Sequence, residues 1–190
     1  MLCGMRYWPG RARAEALRAW DELERVVGRV ESAPDAFLGA LLIGSLSRGE
    51  GDALSDVDLI AVAHRDGWEQ AWEQRAVLSE GALVTFDRFD EGRSGVAGHS
   101  WLTPALVKVE CLVAQPGSMR LAGSAVVLAG QDDLLEAFER IPQYTRRQIQ
   151  DYAAGLRERG ALSEIERAYD DLIVLLRRDA LPRRTSAGPA

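Results

Sequence analysis

The sequence predicts an α+β fold in which helices flank a sheet, followed by a C-terminal helical appendage. Three observations predict it. Short continuous apolar runs of strand length stand at residues 37–43 and 57–63, amphipathic segments repeat their apolar residues every three or four positions, and beyond Pro142 only the helical period remains. The expected layout is a core with its N-terminal helix over residues 1–142, a helical region over 143–181 and a disordered tail over 182–190, which is short, polar and bounded by Pro182.

Each element has its own signal. Between residues 11 and 31, Ala16, Trp20, Leu23, Val27 and Val30 fall on one stripe of a helix, and Pro34 bars its continuation. The run 37–43 ends in Gly44-Ser45 and reads as a strand buried on both faces; 57–63 is a second such strand, interrupted by Asp58. Asp66 is placed to cap a helix carrying Trp68, Trp72 and Leu78 that stops at Gly81. Residues 82–86 are a third strand, and the glycine-bearing stretch 87–100 reads as a hairpin connection or mobile loop. Strands are expected at 105–114 and 125–128 and a short helix at 132–140. Two helices follow at 143–159 and 163–179, the second opening with Ser163 and Glu166 in capping-box spacing.

Composition narrows the function. With 190 residues, 47% of them apolar and 27% charged, the chain can bury a core without disulfide staples. Cys3 and Cys111 have no metal-ligand spacing, and Cys111 lies in an apolar run where a buried free thiol is expected. No apolar run approaches the ~20 residues of a membrane helix. The opening MLCGMRYWPGRARAE lacks the apolar core of a secretory signal, so the expected location is the cytoplasm, with no membrane partner. A net charge of -6 argues against a protein that tracks a nucleic-acid backbone, which needs lysine and arginine to neutralise phosphates; a small or cationic partner is easier to accommodate. Among the 23 basic residues Lys108 is the sole lysine.

The chemistry concentrates in residues 41–60, LLIGSLSRGEGDALSDVDLI. Residues i and i+2 of a strand share a face, so Asp56 and Asp58 present two carboxylates ~7 Å apart, close enough to reach one divalent cation. Two neighbouring carboxylates on a sheet face repel and lose hydration, and a cation or strong donors must offset that cost. Magnesium suits them, because it takes oxygen ligands from one or two carboxylates, phosphates and water. The loop before them is complementary: Gly44 permits close approach, Ser45 and Ser47 offer hydroxyls, the loop amides can form an anion site, and Arg48 adds a fixed positive charge. Glycine-serine alone is usually a turn, and Asp-x-Asp alone is usually a solvated strand end. Their combination across two apolar runs is far more specific.

GSLSRGEGDALSDVDLIAV resembles the signature of the nucleotidyltransferase superfamily that includes polymerase beta. With Arg48-Gly49 in the loop and Ser55 before the first aspartate, it is similar to the minimal nucleotidyltransferases and to the aminoglycoside and lincosamide nucleotidyltransferases of bacteria. The motif covers about twenty residues, and the order of strands and helices extends the likeness loosely over residues 11–140. The resemblance implies a mixed-sheet nucleotidyltransferase core and a third acid delivered from a later strand.

Glu110, inside the apolar run LVKVECLV, fits that implied acid, and Lys108 shares its face. An alternative is that the two form a surface ion pair on an edge strand. Asp87, Asp90 and Glu91 compete for the role but stand in polar, glycine-bearing sequence. His64 and His99 are isolated and are expected at a loop or strand end.

By resemblance, Asp56, Asp58 and Glu110 form the catalytic, metal-binding trio, with Glu110 as ligand, base or both. Gly44, Ser45, Ser47, Arg48 and Lys108 form the nucleotide site. The implied activity is transfer of a nucleoside monophosphate, AMP from magnesium-bound ATP, to a hydroxyl of a small molecule such as an aminoglycoside or lincosamide. The alternative is a minimal nucleotidyltransferase antitoxin that binds or AMPylates a helical toxin partner. A degenerate nucleotide-binding module is the least favoured reading. The trio requires Glu110 to lie on the same face of the sheet as Asp56 and Asp58.

Overall fold

The computed structural model describes residues 17–52, 55–89 and 94–144. The chain divides into two units, Met1–Thr145 and Arg146–Ala190, and all the described residues belong to the first. From residue 145 onward the expected C-terminal helices and tail lie outside the described residues, as does the start of the first helix.

Helix α1 spans Leu17–Ser32. Its stripe of Trp20, Leu23, Val27 and Val30 is buried, joined by Ala19 and Val26. After it the chain turns through Pro34, the amides of Ala36 and Phe37 both donating to the Ala33 carbonyl at 3.0 Å, and enters β1, Phe37–Leu42. One helical turn follows, α2, Gly44–Ser47, and then β2, Val57–Ala63, over the span expected of it. Helix α3 covers Trp68–Glu73 and tightens into a 3-10 turn over Gln74–Val77. Strands β3, Val84–Phe89, β4, Val96–Leu102, and β5, Lys108–Ala114, come next. The described chain ends with β6, Arg120–Ala122, β7, Val126–Ala129, a 3-10 segment over Asp132–Ala137, and β8, Glu139–Ile141.

The fold is α+β with a mixed six-stranded sheet in the order β3-β4-β5-β2-β1-β7; β6 and β8 form a separate parallel pair. Within the large sheet β2 and β5 run parallel, and the other described pairings are antiparallel. Alternation sorts the side chains onto two faces. Leu59, Ala61, Val109, Cys111 and Val113 pack under α1 in one core, whereas Ile60, Val62, Leu112 and Ala114 pack with Leu121, Leu134 and Phe138 in another. Each core removes apolar surface from water, at ~25 cal/mol per Å2.

Three expectations need correction. Asp66 does not cap α3: Gly67 precedes the helix and no side-chain cap bond forms, the chain turning instead through the Gly67 amide onto the His64 carbonyl at 3.1 Å. The stretch 87–100 does belong to a hairpin, but most of it is strand and not loop. β3 runs through Asp87 to Phe89 and β4 begins at Val96, Asp87 lying opposite His99 in the ladder. The segment 132–140 is not one helix but a 3-10 turn that passes into β8.

Candidate active site

The pairing of β2 with β5 sets Asp58 directly opposite Glu110. Opposed residues of parallel strands project to the same side, and the next pairs on that side, Ile60 with Leu112 and Val62 with Ala114, share one core cluster. Glu110 therefore lies on the face of Asp58, as the trio requires. Asp56 stands two residues before Asp58, just ahead of β2, and its charge acts on Asp58.

Electrostatics ties the residues together. Burial, then the charges of Glu110 and Asp56, push the Asp58 carboxyl up to about 7, against the opposing pull of Lys108 and Arg48. Close acids and two cations thus meet around one carboxyl. The Lys108 ammonium makes an ion pair with Glu110 Oε1, and Arg88 Nη2 lies 3.8 Å from the same oxygen. The Lys108–Glu110 pair exists, but β5 is an interior strand between β4 and β2, not an edge.

The α2 turn abuts the acids. The Ile43 amide donates to the Asp58 carbonyl at 3.0 Å. Gly44 has a φ of +72°, and a Cβ added there would collide with the Asp58 carboxylate. Only glycine suits both the left-handed backbone and the close approach. Arg48 is held within the turn, donating to the Gly44 carbonyl at 2.8 Å and to Glu50 Oε2 at 2.7 Å.

Ser47 is buried, and its hydroxyl points inward, donating to the Gly44 carbonyl at 2.8 Å with the Ser124 carbonyl at 3.2 Å sharing that proton. Its hydroxyl fastens the turn, a different use from the phosphate contact expected of it. Ser45 is only half-buried. Before Asp56, Ser55 accepts from the Asp52 amide at 2.7 Å and donates to Asp52 Oδ1 at 3.0 Å.

Oxygen donors on one face, a desolvated carboxyl that resists ionisation and a glycine cradle against it form a set suited to a hard divalent cation. Among the described residues, no group of three or more His, Cys, Asp or Glu side chains is gathered closely enough to hold a metal as it stands.

Two site neighbours escape local sequence reading. Arg88 reaches Glu110 from β3, and Ser100, buried on β4, stands opposite Glu110. Ser100 carried no local signal, because Gly98, His99 and Ser100 have the composition of a loop.

His99, Asp87, Ser79 and Arg75 form a second constellation on the other face. His99 Nδ1 lies 2.6 Å from Asp87 Oδ1 and Nε2 lies 2.9 Å from Ser79 Oγ, while Arg75 donates twice to Asp87 Oδ2 and stacks over Trp72. Burial, with the charge of Arg75, holds the His99 pKa below its usual value against the opposing pull of Asp87. Burial raises that of Asp87, but hydrogen bonds from Arg75 and then His99, together with their charges, bring it below the usual carboxylate range. His99 and Ser79 are both buried, so the network clamps the 3-10 turn to the sheet. Burial also pushes the Cys111 thiol up to about 12, which makes it inert. His64 follows β2, its Nε2 lying 2.9 Å from the Pro34 carbonyl.

No family model and no curated protein sequence matches the chain. Among the described residues no helix is long and apolar enough to cross a membrane.

Proposed function

We propose that the chain is a magnesium-dependent nucleotidyltransferase of the polymerase beta-like superfamily. It moves a nucleoside monophosphate, AMP from ATP, to a hydroxyl of a small molecule such as an aminoglycoside or lincosamide, with release of pyrophosphate. The observation that carries the reading is Asp58 opposite Glu110 on interior parallel strands, with Gly44 pressed against Asp58. Solvated strand-end acids would not require that arrangement.

The residues divide the work. Asp56, Asp58 and Glu110 would hold magnesium, which when bound neutralises phosphate charge and aligns the reacting groups. Ser45, the amides of the α2 turn and Arg48 hold the β- and γ-phosphates. Glu110 orients the acceptor hydroxyl and takes its proton. The acceptor oxygen bonds to the α-phosphorus as the bond to the β-phosphate bridging oxygen breaks, and pyrophosphate carries away that electron pair. Lys108, beside Glu110, adds positive charge where phosphate and acceptor meet. The net charge of -6 favours a cationic acceptor.

The test is pyrophosphate release from ATP and magnesium with a panel of aminoglycosides and lincosamides. Release with at least one of them, lost on replacing both Asp56 and Asp58 by asparagine, is the expected result. Release that survives the double substitution removes the assignment.

A further inference from the structure

Asp58 and Glu110 share one face, yet among the described residues no three acids are gathered closely enough to hold a metal, and Glu110 is already engaged by cations. Its Oε1 is paired with Lys108 and lies 3.8 Å from Arg88. Lys108 stands two residues before Glu110 on β5, so it projects to the acid face, and its side chain is only 12% exposed. Its charge also acts on Asp58. An ammonium within reach of two carboxylates of the trio supplies part of the charge compensation that a divalent cation would supply there.

The geometry points to Lys108 as a counter-ion latch: it holds Glu110 away from Asp56 and Asp58, and it must release Glu110 before a divalent cation can take all three carboxylates. This rests on the nucleotidyltransferase reading and adds a rule of entry to it. Lysine suits the task because its ammonium is a point charge on a flexible four-carbon stem, whereas the rigid fork of arginine tends to stay on a carboxylate. Every other Lys-or-Arg position of the chain is arginine. A polyphosphate offers the ammonium an alternative partner. Nucleotide and metal therefore strengthen each other's binding by the same factor, and metal alone binds weakly.

The experiment titrates the full chain with Mn2+ in the absence of nucleotide, following free Mn2+ by electron paramagnetic resonance, for the wild type, Lys108→Met and Lys108→Arg. Lys108→Met is expected to bind Mn2+ roughly three- to tenfold more tightly, the scale of one partly buried ion pair, while Lys108→Arg stays near the wild type. Lys108→Gln makes the same comparison if the methionine variant does not fold. Affinity unchanged or weakened by Met or Gln overturns the latch and leaves the transferase reading standing. So does an arginine variant that binds as tightly as the methionine one. In the Lys108→Met background, Asp58→Asn should abolish binding; binding that persists places the ion elsewhere and overturns the latch. Failure of all variants to bind Mn2+ overturns the metal-dependent reading and the latch with it.

Discussion

Gly44 packs so closely on Asp58 that the carboxylate occupies the space a Cβ would need. The contact fixes the turn against the first strand of the acid face, while the Ile43 amide bonds to the Asp58 carbonyl from the same turn. Gly44→Ala meets both a steric clash and a positive φ. It should cost about 1–2 kcal/mol from backbone strain alone, with a further loss from displacing Asp58. Urea unfolding measures the first, and Mn2+ affinity in the same variant reads the second; a substitution that changes neither would show that the turn does not position the acid.

Asp58 makes stability depend on pH in the direction opposite to an ordinary salt-bridged aspartate. Its carboxyl titrates at about 7 in the folded chain, against about 3.9 when unfolded. Between those values the folded state keeps a proton that the unfolded state has released. Stability from this group is therefore full below about pH 4 and is lost as pH rises towards 7, by at most about 1.4 kcal/mol per pH unit. Denaturant unfolding across pH 4–8, wild type against Asp58→Asn, isolates the slope; equal slopes would refute it.

The His99 network works the other way. Because burial holds the His99 pKa below its usual value, the unfolded chain binds the extra proton first. Stability from His99 is present above about pH 6.5 and is lost as pH falls below it. Asp87, also shifted down, gives stability above the unfolded carboxylate pKa that is lost as pH falls further. His99→Phe leaves Asp87 and Ser79 without their imidazole partner and should cost about 2 kcal/mol at pH 7.5, with a smaller cost at pH 5. Thermal unfolding at the two pH values checks it.

Magnesium should raise the unfolding temperature more at pH 8 than at pH 6, because protons compete with the ion for Asp58. Asp58→Asn should remove both the stabilisation and its pH dependence. Calorimetric scans with and without magnesium decide the matter, and stabilisation retained in the variant would place the ion elsewhere.

Much of this was legible where local pattern and tertiary environment agree. The apolar runs around Leu41 and Ile60 could only be buried strands, and the stripe from Trp20 to Val30 could only face a core. Asp58 stood out because an ionisable group inside such a run needs a reason. β4 was illegible because Gly98, His99 and Ser100 look like loop residues. Their burial is compensated by long-range partners: Asp87 and Ser79 satisfy His99. Lys108 and Glu110 left an edge pair open as the alternative because strand order is not written in local sequence, whereas β5 proves to be interior. Asp66 looked like a cap by residue type alone, and the turn at Gly67 removes the need for one.

The parallel pairing of β2 with β5 also governs when the acid face is first assembled during folding. β1 with β2, and β3 through β5, are ladders between near neighbours in sequence, while the β2–β5 seam joins distant segments and carries the larger loop-closure entropy. Asp58 arrives on one side of that seam and Glu110 on the other. A chain whose two blocks have formed but not docked holds Asp58 and Glu110 apart, so the acid face is assembled only when that seam closes.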